Sequence, residues 1–144
     1  MKKKITLLFL LLLCLGFVAY ATYAANTNDK FINALRNCTP YAGSGTVPLQ
    51  SMNIKSTNRI IGWNNGKCVY RETMSINGNN IRINCRFTKS QIHNITSTAD
   101  AYLKTLPKNI SFDSLPLESI QNNPVSTVFN EYIQDPSTCS ISTN

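Results

Sequence analysis

Residues 52–88 read MNIKSTNRIIGWNNGKCVYRETMSINGNNIRINCRFT, and this stretch decides the fold. Asn64-Asn65-Gly66-Lys67 and Asn77-Gly78-Asn79-Asn80 are both tight hairpin signals, because Asn and Gly tolerate the positive φ that such turns require. They cut the stretch into three strands of an antiparallel meander. Counting outward from Asn65-Gly66 sets Trp63 opposite Cys68, Ile61 opposite Tyr70 and Arg59 opposite Glu72. Counting from Gly78-Asn79 sets Ile76 opposite Ile81, Met74 opposite Ile83, Glu72 opposite Cys85 and Tyr70 opposite Phe87. Strand side chains alternate, so Ile61, Trp63, Cys68, Tyr70, Met74, Ile76, Ile81, Ile83, Cys85 and Phe87 share one face. That face is the expected core, since a slip of one residue would bury the polar set instead. Arg59 and Glu72 are expected to pair across strands within it.

Helices flank the meander. Asn28 or Asp29 can cap a first helix that carries Phe31, Ala34, Leu35 and Cys38 on one side. Cys38-Thr39-Pro40 and Gly43-Ser44-Gly45 then break the pattern, and Thr46 to Gln50 reads as a short edge strand, to which Pro48 confines it. After the sheet, Ser90 can cap a helix in which Ile92, Ile95, Ala99, Tyr102, Leu103 and Leu106 recur at three- and four-residue steps until Pro107. Residues 108–122 read as a loop. Asn123-Pro124 opens a last helix with Val125, Val128, Phe129, Tyr132 and Ile133 buried, ending at Asp135-Pro136. The expected class is α+β: an N-terminal helix, a three- or four-stranded antiparallel meander, and two C-terminal helices packed on one sheet face.

The N-terminus has the three parts of a secretory leader in order. Lys2-Lys3-Lys4 is the positive start, Ile5 to Val18 an apolar run, and Ala19-Tyr20-Ala21 a small-x-small cleavage pattern. The run is 14 residues, short of the roughly 20 that cross a bilayer. Residues 1–21 therefore read as a signal peptide, with cleavage after Ala24 or retention as an uncleaved anchor as the alternatives, and residues 22–144 as one domain. The sequence points to an exported, periplasmic or extracellular protein of bacterial character, with no stable membrane span after cleavage. Cys14 lies in the apolar run behind Leu11-Leu12-Leu13, not behind the small residue that lipoprotein processing wants, and leaves with the leader.

Of five cysteines, four then remain: Cys38, Cys68, Cys85 and Cys139. An even set in a small exported domain reads as two disulfides. Their wide spacing and the single histidine argue against a zinc site. The counted register puts Cys68 four residues from the position opposite Cys85, about 13 Å along a strand. Bridged Cα atoms lie within about 7 Å. Each sheet cysteine is therefore expected to bond one outside the sheet, one taking Cys38 and the other Cys139, with the assignment open.

The search for chemistry turns up little. Ser-His-Asp and Cys-His sets need a histidine base, and His93 falls off the apolar stripe of its helix, where it reads as a solvent-facing residue. Among Asp29, Glu72, Asp100, Asp113, Glu118, Glu131 and Asp135, only Glu72 is expected to point inward, as a structural ion pair with Arg59 or a nearby lysine. No phosphate-cradling glycine loop or metal-ligand cluster is present, so no cofactor or metal is expected, and the reading leans away from an enzyme.

The outward face is more suggestive. The counted register sets Arg71 opposite Arg86 and Arg82 opposite Ser75, with Thr73 and Asn84 between. Arg71, Arg82 and Arg86 with no carboxylate beside them make an anion-binding patch. The net charge of +7, or +4 without the three leader lysines, agrees with an anionic macromolecule or envelope component as partner. Nucleic acid is not expected, because no aromatics interleave the arginines and the chain is exported. The sequence thus suggests a non-enzymatic binding domain. The alternative is a small-molecule or lipid carrier with an apolar pocket lined by Trp63, Tyr70, Met74 and Phe87.

Overall fold

A computed structural model of the protein describes residues 28–49, 52–76, 78–106 and 123–143. Residues 1–27, where the sequence suggests a leader, and residues 107–122 with the acids Asp113 and Glu118 lie outside the described residues. The elements run α1 (Asn28–Asn37), β1 (Tyr41–Leu49), β2 (Met52–Asn64), β3 (Lys67–Ile76), β4 (Asn79–Phe87), α2 (Lys89–Thr105), α3 (Pro124–Gln134) and β5 (Cys139–Thr143). All five strands are antiparallel neighbours in the order β1-β2-β3-β4-β5. The α+β class holds, with five strands where three or four were expected.

Two strands were not legible as they stand. β1 runs through Gly43-Ser44-Gly45, which reads as a break, because a long β2 offers it a continuous partner from Tyr41↔Ile60 to Leu49↔Met52. β5 has no apolar alternation. It forms on the free edge of β4, where Cys139 lies directly opposite Cys85.

The core face is where the alternation put it, with one local correction. β2 carries a bulge between Ile60 and Gly62, so Ile60, not Ile61, pairs with Tyr70. The extra residue reverses the alternation upstream of it. Ile60 is buried, whereas Ile61 and Trp63 are 46% and 43% exposed. Gly62 has φ +121°, a conformation side-chain-bearing residues rarely adopt. The β3–β4 register is also shifted by two residues from the count: Ile76 pairs with Asn79, Met74 with Ile81, Glu72 with Ile83, Tyr70 with Cys85 and Cys68 with Phe87. The turn closes one residue earlier than assumed, with Gly78 at φ +84°. A two-residue shift keeps every side chain on its face, so the inward set of β3 and β4 is unchanged, with Ile76 at its end only half-buried.

The inward rows meet the apolar sides of the helices. Phe31, Leu35, Ile95, Phe129 and Ile133 are buried against Ile60, Tyr70, Met74, Ile83 and Phe87. Tyr70 is the centre of a ring cluster, 6.2 Å from Phe31, 6.1 Å from Phe87 and 5.5 Å from Phe129, ring centroid to centroid. Burying each such side chain contributes roughly 1.5–3 kcal/mol. Thr88, not Ser90, caps α2. Its hydroxyl accepts from Gln91 N while the Gln91 side chain accepts from Thr88 N. Asn123 caps α3 with Pro124 in the first turn, as expected.

The disulfides are Cys38–Cys68 and Cys85–Cys139, with Cα–Cα distances of 5.7 and 4.1 Å. Each of Cys68 and Cys85 takes Cys38 or Cys139, as reasoned, but two premises change. Cys68 stands two residues from the position opposite Cys85, not four. Cys139 is itself in the sheet, so its bridge joins neighbouring strands, while Cys38–Cys68 fastens the end of α1 to β3.

Candidate anion-binding face

The outward side of the sheet is set by the same register that fixes the core. One row runs Ala42–Arg59–Arg71–Asn84–Ser140 across all five strands, and the next Ser44–Thr57–Thr73–Arg82–Ser142. Lys55 pairs with Ser75, and Arg86 with Val69. Arg59, Arg71, Arg82, Arg86 and Lys55 are all exposed. No outward position of any strand carries a carboxylate.

Arg71, Arg82 and Arg86 thus share one face, but not in the pairing expected. Arg71 lies opposite Asn84 and Arg82 opposite Thr73. The sequence reading missed Arg59, which it placed inside beside Glu72, and Lys55, which it did not place. The bulge moves Arg59 outward, directly opposite Arg71. Neighbouring strands lie about 4.8 Å apart and Arg82 and Arg86 about 13 Å along one strand. The cations therefore spread over β2, β3 and β4, interleaved with Thr, Ser and Asn that can donate and accept hydrogen bonds. Among the described residues, Arg86 donates to the Asn64 carbonyl over 3.2 Å, while Arg59, Arg71 and Arg82 have no hydrogen-bonded or ionic partner.

Glu72 lies inside, as the alternation required, but Arg59 does not neutralise it. Its Oε1 accepts from Ser56 Oγ and its Oε2 from the Tyr70 hydroxyl, both at 2.9 Å. Burial pushes its carboxyl above the ordinary range, and the two hydrogen bonds pull only partly the other way. Asn58, directly opposite Glu72, is also buried, and its Oδ1 has no hydrogen-bond donor among the described residues.

Two other acids are engaged elsewhere. Asp100 forms an ion pair with Arg36 at 2.7 Å. The carboxyl of Asp135 is held below its ordinary range, chiefly by the Ser137 hydroxyl and then by the Ser137 N–H and the Thr138 hydroxyl. His93 is exposed on α2. No group of three or more His, Cys, Asp or Glu stands close enough to hold a metal ion among the described residues. No helix among them is long and apolar enough to cross a membrane. Of the residues considered for an apolar pocket, Tyr70, Met74 and Phe87 are packed in the core, and Trp63 is outside it.

No known protein family, curated protein sequence or solved structure matches the chain.

Proposed function

We propose that the protein is an exported, non-enzymatic binding domain that uses the outer face of its sheet to hold an anionic macromolecule of the cell envelope or its surroundings. The observation that carries this reading is the set of exposed cations Lys55, Arg59, Arg71, Arg82 and Arg86 on one face of the sheet, with no acidic neighbour among the described residues. Guanidinium groups present planar forks that match carboxylate, sulfate and phosphate oxygens. A sheet holds them at fixed spacings, so little order is lost when a polymer binds. The leader at residues 1–21 supports export, and two disulfides agree with an oxidising compartment.

Retention on immobilised dextran sulfate, compared with neutral dextran, tests the reading. The protein is expected to be held only by the sulfated polymer and to elute as salt screens the exposed charges. Equal behaviour on both supports would refute it.

A further inference from the structure

The end of α1, the β2–β3 hairpin and α2 enclose a groove of about 570 Å3, within the range of about 300–1,000 Å3 usual for small-molecule sites. It lies on the helical side of the hairpin, away from the outward arginines. Trp63 forms one wall. The Lys89 ammonium stands 5.8 Å from the centre of its ring and has no acidic partner among the described residues. The only carboxylate in the lining, Asp100, is occupied by Arg36 Nη2, at 2.7 and 2.8 Å to its two oxygens. Arg36 and Asp100 cancel, which leaves Lys89 as the uncompensated charge.

The remaining lining is fitted for hydroxyl groups. Asn37 spends its Nδ2 on the Asn33 carbonyl at 3.0 Å, which leaves Oδ1 to accept. Ser97 donates to the Asn94 carbonyl at 3.2 Å, which leaves its oxygen to accept. The exposed His93 imidazole can donate and accept, and has no hydrogen-bond partner among the described residues. A flat apolar ring, one ammonium and several acceptors describe a ligand with three properties. It has a C–H face to lay on the indole, hydroxyls to donate, and an anionic group. A purely aromatic acid would make no use of the acceptors, and a neutral sugar none of Lys89.

The geometry points to an acidic sugar residue, a uronate or a sugar phosphate, as the ligand of this groove, with its ring on Trp63 and its anionic group at Lys89. This site is separate from the outward arginine face and does not depend on it.

Trp63 is the only tryptophan of the chain, so its emission reports directly on the groove. The full protein is titrated with digalacturonate and with glucose 6-phosphate, and with maltose and inorganic phosphate as references. A saturable change with at least one acidic sugar is expected, with a dissociation constant of about 1 mM or tighter. The sugar that responds identifies the anionic group. Lys89→Met should weaken it about tenfold or more and His93→Gln less, with circular dichroism confirming the fold. Arg71→Glu/Arg82→Glu should leave it unchanged, so that failure of the groove and failure of the sheet face are told apart. The inference is overturned by the absence of a saturable response to either acidic sugar. It is equally overturned by the same response to inorganic phosphate alone, equal affinity for maltose, or an unaffected Lys89→Met. Calorimetry on the same solutions detects binding that leaves the indole silent, and that result would also overturn it.

Discussion

Arg59 and Arg71 lie directly opposite each other on the outward side of β2 and β3. Like charges in this relation destabilise a sheet by roughly 0.2–1 kcal/mol, where opposite charges would stabilise it. Keeping such a pair is costly for the fold and useful for binding an anion. Arg71→Glu is therefore expected to raise the unfolding free energy by about 0.5–1 kcal/mol and to weaken dextran sulfate binding. Denaturant melts and binding measured on the same sample check both. A variant that binds as the parent does would remove Arg71 from the interface.

Glu72 gives the protein a signed pH dependence. Its carboxyl is raised above 4.5 in the folded state, chiefly by burial. The folded protein therefore holds this proton more tightly than the unfolded chain. The contribution is fully present below about pH 4.5 and is lost as pH rises through the folded value. Glu72→Gln, which keeps the shape but cannot ionise, should flatten this part of the profile. Denaturant melts at stepped pH from 4 upward measure it. A parent protein whose stability does not fall over this range relative to Glu72→Gln would show that the carboxyl is not desolvated as described. Glu72→Ala should cost about 1–3 kcal/mol at any pH, because the Ser56 and Tyr70 hydroxyls lose their acceptor.

The two disulfides are expected to differ in what their loss releases. They close loops with sequence separations of 30 and 54 residues. In the chain-entropy account these constrain the unfolded state by about 3.5 and about 4 kcal/mol. Cys85→Ser/Cys139→Ser should also release β5, a strand with four exposed residues after Cys139, and expose the edge of β4. Hydrogen exchange would then show β4 amides losing protection before the protein unfolds. In Cys38→Ser/Cys68→Ser the loss should centre on α1.

The bulge is tested at Gly62. With φ +121°, an alanine there is strained by roughly 1–3 kcal/mol. Gly62→Ala should lower stability by about that amount and alter the emission of the neighbouring Trp63. Unchanged stability would show that this backbone conformation is not required.

Much of the fold is written in alternation and caps. Tyr70, Met74, Ile81, Ile83 and Phe87 repeat every second residue, and Ile92, Ile95 and Ala99 every third or fourth, so the inner face and α2 could be read directly. The register could not. Asn77-Gly78 and Gly78-Asn79 are both acceptable turn centres, and they differ by two residues without changing a single face. In Arg59-Ile60-Ile61-Gly62-Trp63, two adjacent isoleucines satisfy either alternation, and only the glycine signals a bulge. That one residue decides whether Arg59 is a core ion pair or part of the basic face, while Trp63, beyond the bulge, keeps Cys68 as its partner. β5 left no trace because Ser140, Ser142 and Thr143 carry no apolar pattern; backbone pairing to β4 and the Cys85–Cys139 bond make it a strand.

The most direct test of the central claim separates the arginine face from net charge. Arg71→Gln/Arg82→Gln and Lys30→Gln/Lys104→Gln each remove two positive charges, the first from the outward face of the sheet and the second from exposed helix positions. Affinity for dextran sulfate is measured for both at one fixed salt concentration. The account predicts a loss of about a hundredfold for the sheet variant, at about tenfold per arginine, and a loss of at most about threefold for the helix variant. Equal losses in the two, or no loss in the sheet variant, would contradict it.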